Sequence, residues 1–269
     1  MAALLDARGL QKSFGAVTAA SDIDVAIEKD SVVGLIGTNG AGKTTFINMI
    51  TGYLKPDAGS IWFEGRDITA LRPREITRLR ICRSFQIPQL YQSLSAHGNM
   101  MVALGVLLAN AGLGGFLSRG RPMVPGQNAP AEEVAERTLE RFGLTSYRDR
   151  NAQGLPGGVR KLLDIALTIV AKPKILLLDE PTSGVSADEK FGIMEMVLKV
   201  ARDEGATVLF VEHDMEIVNR FAERVLAFYD GRIIADAPPS VALNDPEVRR
   251  YVVGGALQSL DEQAGRANA

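Results

Sequence analysis

The fold of this 269-residue chain is decided by the stretch Gly37-Thr38-Asn39-Gly40-Ala41-Gly42-Lys43-Thr44. It fits the pattern G-x-x-x-x-G-K-[ST] and lies between the apolar run Val32–Ile36 and a segment, Lys43–Gly52, whose apolar residues have helical spacing. A strand, a glycine-rich loop and a helix in this order distinguish a phosphate-binding loop, or P-loop, from a structural glycine turn. The sequence therefore predicts an α/β fold built around a P-loop.

The residue types of the P-loop suit the phosphates of a nucleotide. Its glycines let backbone N–H groups converge on phosphate oxygens, and the start of the following helix adds partial positive charge. Lys43 would reach the β and γ phosphates, and the Thr44 hydroxyl would face Mg²⁺. The predicted nucleotide-binding residues of this segment are Gly37, Thr38, Asn39, Gly40, Ala41, Gly42, Lys43, Thr44 and Thr45.

Two adjacent carboxylates, Asp179 and Glu180, follow the apolar run Ile175–Leu178. In a doubly wound sheet, ligands bind at the carboxyl ends of the strands, where these side chains would stand. Asp179 is therefore the predicted Mg²⁺ ligand, and Glu180 the group that orients or deprotonates an attacking water. An Asp-Glu pair by itself is more typical of a solvated helix start, so this prediction depends on the preceding strand and on the P-loop.

The two histidines of the chain have different predicted roles. His213 follows the apolar run Thr207–Val211, so we expect it at the carboxyl edge of the sheet, where it could contact a γ-phosphate or the attacking water. A structural role is the ordinary alternative for such a histidine. His97 is predicted to be a surface or packing residue.

The composition is that of an ordinary globular chain, with 46% apolar residues and 30 basic side chains against 32 acidic ones. This balance excludes disorder for most of the chain and provides no basic stripe of the kind that binds nucleic acid. The single cysteine, Cys82, cannot form an internal disulfide and is predicted to be a small buried residue. We therefore expect a reducing compartment and no nucleic-acid partner.

Two segments bear on membranes. Met1–Leu10 carries Asp6 and Arg8 and lacks the apolar region of a secretory signal, so we expect the chain in the cytoplasm. Met100–Leu117 lies in an uncharged stretch and is long enough to suggest a membrane span. Glycines and an asparagine dilute its hydrophobicity, and a crossing there would separate the two halves of the nucleotide site. We therefore predict an apolar surface that docks a partner.

Further elements follow from periodicity. The predicted strands, hairpins and helices outside the P-loop unit are the strands Ala2–Arg8 and Ile23–Ile27, a hairpin beginning at Ile61–Phe63, the helix Val159–Ala171, the helix Asp188–Glu204, and a hairpin over Val225–Ala235 with its turn at Asp230-Gly231. The predicted domains are a core with a mixed sheet and an N-terminal antiparallel β subdomain over 1–86 and 155–254, a helical subdomain over 87–154 with a Gly/Pro-rich insertion at 112–130, and a flexible tail over 255–269.

Five motifs in this order resemble those of the ATP-binding cassette (ABC) ATPases over nearly the whole chain. They are Gly37–Thr45, Arg83-Ser84-Phe85-Gln86, Leu155-Pro156-Gly157-Gly158, Leu176–Gly184 and Glu212-His213-Asp214. The resemblance implies a P-loop NTPase core with an inserted helical subdomain, ATP as the nucleotide, and hydrolysis in a dimer. It also implies that Phe14 stacks on adenine, although the residue type alone leaves a core position equally open. Gln86 is implied to be the lobe-linking glutamine that senses Mg²⁺ and water. With it, the candidate catalytic residues are Gln86, Glu180 and His213, and the candidate metal ligands are Thr44, Gln86 and Asp179.

Finer features resemble the ATPase subunits of branched-chain amino acid importers. They are Val33–Gly37, Gly65-Arg66-Asp67-Ile68-Thr69, the Gly/Pro-rich insertion, Val211–Met215 and Asn244–Val248. This resemblance implies a second ABC ATPase subunit, identical or different, and membrane permease subunits that dock on the helical lobe around Pro88–Leu117. It also implies an indirect partner, a solute-binding protein, and a peripheral position on the cytoplasmic face of the inner membrane.

The sequence departs from the family at the signature loop, which each ABC subunit offers in trans to the ATP on its partner's P-loop. The usual Leu-Ser-Gly-Gly-Gln is here Leu155-Pro156-Gly157-Gly158-Val159, which lacks the serine hydroxyl and the glutamine amide. Glycine N–H groups and the start of the following helix remain available to a γ-phosphate. A second departure is Ser186, where the family usually has Asp or Asn.

Two alternatives of other classes stay open. One is an ABC ATPase that is not attached to a transporter and acts in translation, repair or cofactor assembly, although translation-type members carry two cassettes and this chain has one P-loop. The other is a nucleotide-binding regulatory subunit with weak turnover, which Pro156 and Val159 favour. The residues that oppose it are the intact Lys43, Asp179, Glu180 and His213.

The altered signature loop predicts two unequal sites in a heterodimer. The missing serine hydroxyl would donate a charge-assisted hydrogen bond to a phosphate, and such a bond is worth about 1.5–3 kcal/mol. Restoring the donors with Pro156→Ser and Val159→Gln should therefore raise turnover roughly ten- to a hundredfold at the partner's P-loop. The measurement is phosphate release from the reconstituted pair with Lys43 of this chain already disabled. An unchanged rate would show that the glycine backbone and the helix terminus suffice.

Overall fold

The computed structural model describes residues 3–111 and 123–254. Ten strands, nine α-helices and three shorter helical turns lie within these ranges. The strands are β1 Leu5–Phe14, β2 Val17–Ile27, β3 Val32–Gly37, β4 Ala58–Phe63, β5 Arg66–Asp67, β6 Ile81–Arg83, β7 Ile175–Asp179, β8 Thr207–Val211, β9 Arg224–Tyr229 and β10 Arg232–Ala237. The helices are α1 Lys43–Ile50, α2 Pro73–Arg78, α3 Ala96–Asn110, α4 Ala131–Arg141, α5 Gly157–Ile169, α6 Lys190–Asp203, α7 Met215–Phe221, α8 Pro239–Ala242 and α9 Pro246–Val248. The shorter turns are 3₁₀ helices at Thr145–Tyr147 and Ala152–Gly154 and a π-helix at Arg249–Val253.

The chain divides into two compact units. Unit 1 comprises Met1–Thr77 and Thr207–Ala269, and unit 2 comprises Arg78–Ala206. The domain boundaries expected from the sequence, after residues 86 and 154, remain a prediction.

Unit 1 contains an antiparallel sheet with the strand order β2-β1-β4-β5. The alternation at Ile23, Val25 and Ile27 is confirmed, since all three side chains are buried in β2. β1 extends further than the predicted Ala2–Arg8, because a register shift between Ala7 and Leu10 interrupts the alternation while the strand continues to Phe14. The hairpin after Phe63 is confirmed, with Glu64 and Gly65 both at positive φ.

Four further strands of unit 1 lie side by side in the order β10-β9-β3-β8. β3 is buried along its whole length and pairs in parallel with both β8 and β9, as expected for a continuous apolar run. The predicted hairpin between β9 and β10 is confirmed, with Asp230 at φ 48° and Gly231 at φ 73°. β3 leads directly into the P-loop and α1.

Unit 2 contains the parallel strand pair β6–β7 and the helices α3 to α6. Met100, Leu104 and Leu108 form the buried face of α3, and Ser95 caps its N-terminus by accepting the Gly98 amide at 3.0 Å. α6 begins two residues after the predicted Asp188 and ends before Gly205, whose φ of 68° suits a helix stop. Residues 112–122 of the predicted insertion and the predicted tail at 255–269 lie outside the described residues.

His97 is a half-buried polar residue of unit 2, and Cys82 is a buried packing residue of the same unit. Nε2 of His97 lies 2.9 Å from Glu132 and 3.7 Å from Glu136, and Arg148 contacts the same two carboxylates. Cys82 is buried in β6, and burial raises the pKa of its thiol to about 12, so the thiol stays neutral. Within residues 3–111 and 123–254, no helix combines the length and the apolar character that a membrane crossing requires.

Candidate functional site

The P-loop of unit 1 owes its shape to glycines that no other residue could replace without strain. Gly37 has φ 150°, and a Cβ there would lie 2.5 Å from the carbonyl oxygen of Phe228. Gly42 has φ 107°, and a Cβ there would lie 2.7 Å from the carbonyl oxygen of Ala19. Real Cβ atoms do not approach backbone oxygens this closely, so the pattern of glycines follows from packing as well as from the conformation of the loop.

Lys43 folds back over the loop that precedes it. Its side chain is buried, and Nζ donates to the carbonyl oxygens of Gly37 at 2.6 Å and Thr38 at 3.0 Å. A cation is therefore held at the centre of the P-loop, where phosphate oxygens would be attracted. Thr44 is exposed at the start of α1, as a residue that offers its hydroxyl to a ligand must be.

The N-terminus of α1 adds to the positive potential. Gly42 is its N-cap, and neither a capping side chain nor an acidic residue of the first turn satisfies this end of the helix within the described part of the chain. The first backbone N–H groups of a helix then carry partial positive charge toward the loop. Asn39 and Gly40, at the tip of the loop, are exposed. The arrangement suits an anion at the P-loop.

The β9–β10 turn supports the P-loop from outside, which the sequence did not reveal. Gly231 donates its amide to the carbonyl of Ala41 at 3.1 Å and accepts the Ser21 amide at 2.8 Å. Asp230-Gly231 predicted a hairpin turn, but no local signal connects this turn with a loop almost 190 residues earlier. The turn therefore belongs to the site as a structural support.

Phe14 is at the end of β1 with 52% of its surface exposed, so it is not a core residue. Nζ of Lys12 lies 5.7 Å from the centre of its ring and 2.6 Å from Asp57. The Lys12 hydrogen bond, together with the Ser13 amide, lowers the pKa of Asp57. An exposed aromatic face of this kind can stack on a planar ring, which keeps the implied adenine contact open.

His213 lies at the same edge of unit 1 as the P-loop. β8 runs parallel to β3 with Val211 opposite Leu35, so the chain leaves both strands at their carboxyl ends, where His213 and the P-loop follow. The histidine is exposed, and Asp214 behind it caps α7 by accepting the Glu216 amide at 2.9 Å. This position agrees with the sequence prediction of the edge, while the role of His213 remains a prediction.

In unit 2, Gln86 and Glu180 are in direct contact. Nε2 of Gln86 donates to a carboxylate oxygen of Glu180 at 3.0 Å. Glu180 follows the last residue of β7 and has φ 46°, an uncommon conformation for a residue with a side chain. Backbone strain of this kind costs of order 1–3 kcal/mol and is concentrated at functional sites. The structure therefore brings two of the three candidate catalytic residues together.

Asp179 has a partner that the sequence did not suggest. Arg83 at the end of β6 contacts its Oδ2 at 2.6 Å, and the two side chains are only 9% and 12% exposed. Hard oxygen donors such as the carboxylate of Asp179, the amide oxygen of Gln86 and the hydroxyl of Thr44 fit Mg²⁺ chemically. The guanidinium of Arg83 competes for that carboxylate, because a close cation opposes a second one at the same oxygens.

The signature loop of unit 2 differs in detail from the sequence prediction. α5 begins at Gly157, two residues before the predicted Val159, because Pro156 has the extended conformation of an N-cap and leaves both glycines within the helix. Its first intrahelical bond runs from the Arg160 amide to the Pro156 carbonyl. The amides of Gly157, Gly158 and Val159 precede this bond, so they are the backbone donors that the loop offers, while Leu155 is buried.

The chain is similar to a known protein family and to relatives from two organisms. The chain matches the family model of ABC transporters over residues 20–183. It is 34% identical over 261 residues to the probable branched-chain amino acid transport ATP-binding protein LivG of Archaeoglobus fulgidus, covering 96% of this chain and 98% of that protein. It is 32% identical to the high-affinity branched-chain amino acid transport ATP-binding protein LivG of Escherichia coli K12, covering 94% and 98%.

A solved structure is also similar. The ADP conformation of an ATP-binding cassette of an ABC transporter is 30% identical, covers 93% of this chain and 98% of that chain, and has a TM-score of 0.76. The predicted fold class, an α/β P-loop core with a mixed sheet, an antiparallel β subdomain and a helical subdomain, is confirmed by this likeness.

The contacts of the loop glycines predict a graded effect of alanine substitution on stability. Gly40 and Gly42 both have positive φ, but only Gly42 has backbone atoms in the way of a Cβ, since no described atom lies within 4 Å at Gly40. Gly42→Ala should lower the free energy of unfolding by about 2–5 kcal/mol, and Gly40→Ala by about 1–2 kcal/mol. Urea unfolding of the two variants measures the difference, and equal losses would contradict the role of close packing.

Proposed function

From the premise that the chain belongs to the ABC transporter family, as one of its ATP hydrolases, we propose that it energises an importer of branched-chain amino acids or related small solutes. The proposal follows the names of its relatives and the motif resemblance. The single observation that carries the ATPase chemistry is Lys43, a buried cation that hydrogen-bonds to the P-loop backbone next to an exposed Thr44.

Each unit contributes its own residues to the proposed reaction. In unit 1, the P-loop amides and Lys43 bind the β and γ phosphates of ATP, and Phe14 stacks on the adenine ring. Thr44, Asp179 and Gln86 would hold Mg²⁺, which when bound neutralises charge on these phosphates. The exposure of Thr44 and of Phe14 supports these assignments.

Glu180 orients the attacking water and accepts its proton in this proposal. Gln86 holds the carboxylate through its 3.0 Å hydrogen bond, and His213 assists at the γ-phosphate. Glu180 is half-buried, so it combines access to water with a fixed backbone conformation. The expected step is in-line attack of water on the γ-phosphate, with departure of ADP.

We propose that two such subunits form a closed dimer, in which Leu155, Pro156, Gly157 and Gly158 complete the partner's ATP site. Membrane permease subunits would dock around Pro88–Leu117, and a solute-binding protein would deliver the solute to them. The exposed side chains of Ile87 and Tyr91, 74% and 60% exposed, support a docking surface next to Gln86. The subunit would then lie on the cytoplasmic face of the inner membrane as a peripheral component.

We propose that the chain is divided into a nucleotide-binding core and a helical subdomain. The nucleotide-binding core would span 1–86 and 155–254, and the helical subdomain 87–154. Closing and opening of the dimer would move the permeases between their inward and outward forms.

A regulatory subunit with weak turnover is the second candidate. Pro156 favours it, because the N-cap of α5 lacks a hydroxyl for the partner's phosphate. The intact Lys43, Asp179 and Glu180 favour the active enzyme. Phosphate release from the reconstituted transporter distinguishes the two candidates.

Removal of the P-loop cation should abolish activity. Lys43→Ala takes away the side-chain cation held at the loop, so ATP hydrolysis should be lost and nucleotide affinity should fall strongly. Phosphate release and binding of a fluorescent ATP analogue measure both effects. The matched control is Lys29→Ala, an exposed lysine of the same unit, which should leave both unchanged. Retained turnover of Lys43→Ala would refute the site.

Neutralising the proposed base should separate binding from hydrolysis. Glu180→Gln should keep ATP affinity and slow hydrolysis by roughly 10²–10⁴, the usual contribution of a positioned base. Size-exclusion chromatography with ATP should then show the closed dimer accumulating. Glu195→Gln on the exposed surface of α6 is the control. An unchanged rate in Glu180→Gln would mean that another group orients the water.

A further inference from the structure

Lys161 is a buried cation of unit 2 that none of the assignments above uses. It lies on α5, one turn after the signature loop, and is only 2% exposed. Its Nζ donates to the carbonyl oxygens of Asp179 at 2.7 Å, Phe85 at 2.8 Å and Gln86 at 3.4 Å. An ammonium has three protons, and burying it is costly unless they are bonded. Here backbone carbonyls of two separate segments bond them.

Asp164, three residues further along α5, holds the same loop through its amides. It is 5% exposed and accepts the amide of Gln89 at 3.0 Å and that of Phe85 at 3.3 Å. Burial raises the pKa of the Asp164 carboxyl, and the Gln89 amide and Lys161 oppose this shift. Two side chains of α5 therefore hold the backbone around Gln86. Lys161 donates to its carbonyl oxygens, and Asp164 accepts its amides.

These contacts converge on the Gln86–Glu180 pair. One segment held by Lys161 carries Gln86, and the other ends at Asp179, directly before Glu180. The two side chains meet at 3.0 Å only if both segments keep their spacing. A hydrophobic residue at position 161 could fill the space but could not bond the carbonyls of either segment.

We propose that Lys161, assisted by Asp164, is a positioning residue that sets the geometry of Gln86 and Glu180 for ATP hydrolysis. This inference rests on the proposed function, since it assigns Glu180 to the attacking water. Lys161 touches neither nucleotide nor water in this role; it acts through the backbone on which the pair is mounted. A misplacement of about 1 Å can cost a hundredfold in rate even when binding is kept.

The test is Lys161→Met, which keeps the length of the side chain and removes its donors. In the reconstituted transporter, kcat for ATP hydrolysis should fall about ten- to a hundredfold, while KM for ATP and the affinity for a fluorescent ATP analogue should stay within about twofold. Lys161→Arg should restore most of the rate, because a guanidinium also donates to several carbonyls. Lys199→Met on the exposed side of α6 is the matched control.

A second background separates positioning from a general structural role. In a Glu180→Gln protein there is no carboxylate to position, so adding Lys161→Met should lower the residual single-turnover rate by less than about twofold. Loss of the same factor in both backgrounds would overturn the inference, as would an unchanged kcat in Lys161→Met. If Lys161→Met does not fold, Asp164→Asn decides instead, because it removes one acceptor and should lower kcat about three- to thirtyfold at unchanged affinity.

The outcome for the unmodified chain keeps the two proposals apart. If the unmodified transporter hydrolyses ATP and Lys161→Met hydrolyses it equally fast, the positioning role fails and the proposed function stands. If the unmodified transporter does not hydrolyse ATP, the proposed function itself fails.

Discussion

The close approach of backbone to the P-loop is the constraint on which unit 1 depends. The carbonyl oxygens of Ala19 and Phe228 lie 2.7 and 2.5 Å from the positions that Cβ atoms on Gly42 and Gly37 would take, and the Gly231 amide donates to the loop as well. The loop is therefore enclosed by β2, β9 and the β9–β10 turn. A loop that is held in one conformation by its neighbours loses less conformational entropy on binding, so a larger part of its interaction energy with phosphate contributes to affinity.

Unit 2 is organised by buried polar groups rather than by glycines. Lys161, Asp164 and the Arg83–Asp179 pair are all largely removed from solvent, and each is bonded to backbone or to an opposite charge. Such networks are costly when only partly satisfied and rigid when fully satisfied. This explains how a glutamate with an unfavourable backbone conformation can be held beside Gln86 at the end of β7.

The loop before α5 offers backbone hydrogen-bond donors from a helix terminus. Pro156 at the N-cap gives up both N–H and O–H, but its extended conformation starts α5 early and adds the amides of two glycines to the first turn. These backbone donors are fixed in direction and carry the partial charge of the helix.

The sequence by itself determined the features that depend on neighbouring residues: the P-loop between β3 and α1, the alternation in β2, the β9–β10 turn, and the two adjacent carboxylates at the end of β7. The tertiary structure alone decided the pairing of Arg83 with Asp179, 96 residues apart, and of Lys161 with Phe85, 76 residues apart. The exposure of Phe14 was also decided by the tertiary structure. The register shift in β1 interrupts the alternation, so the sequence pattern could not assign Phe14 to a buried or an exposed face. The physical reason is the range of the interactions: periodicity and turn preferences act within a few residues, whereas a buried charge is satisfied by whichever distant backbone the fold brings to it.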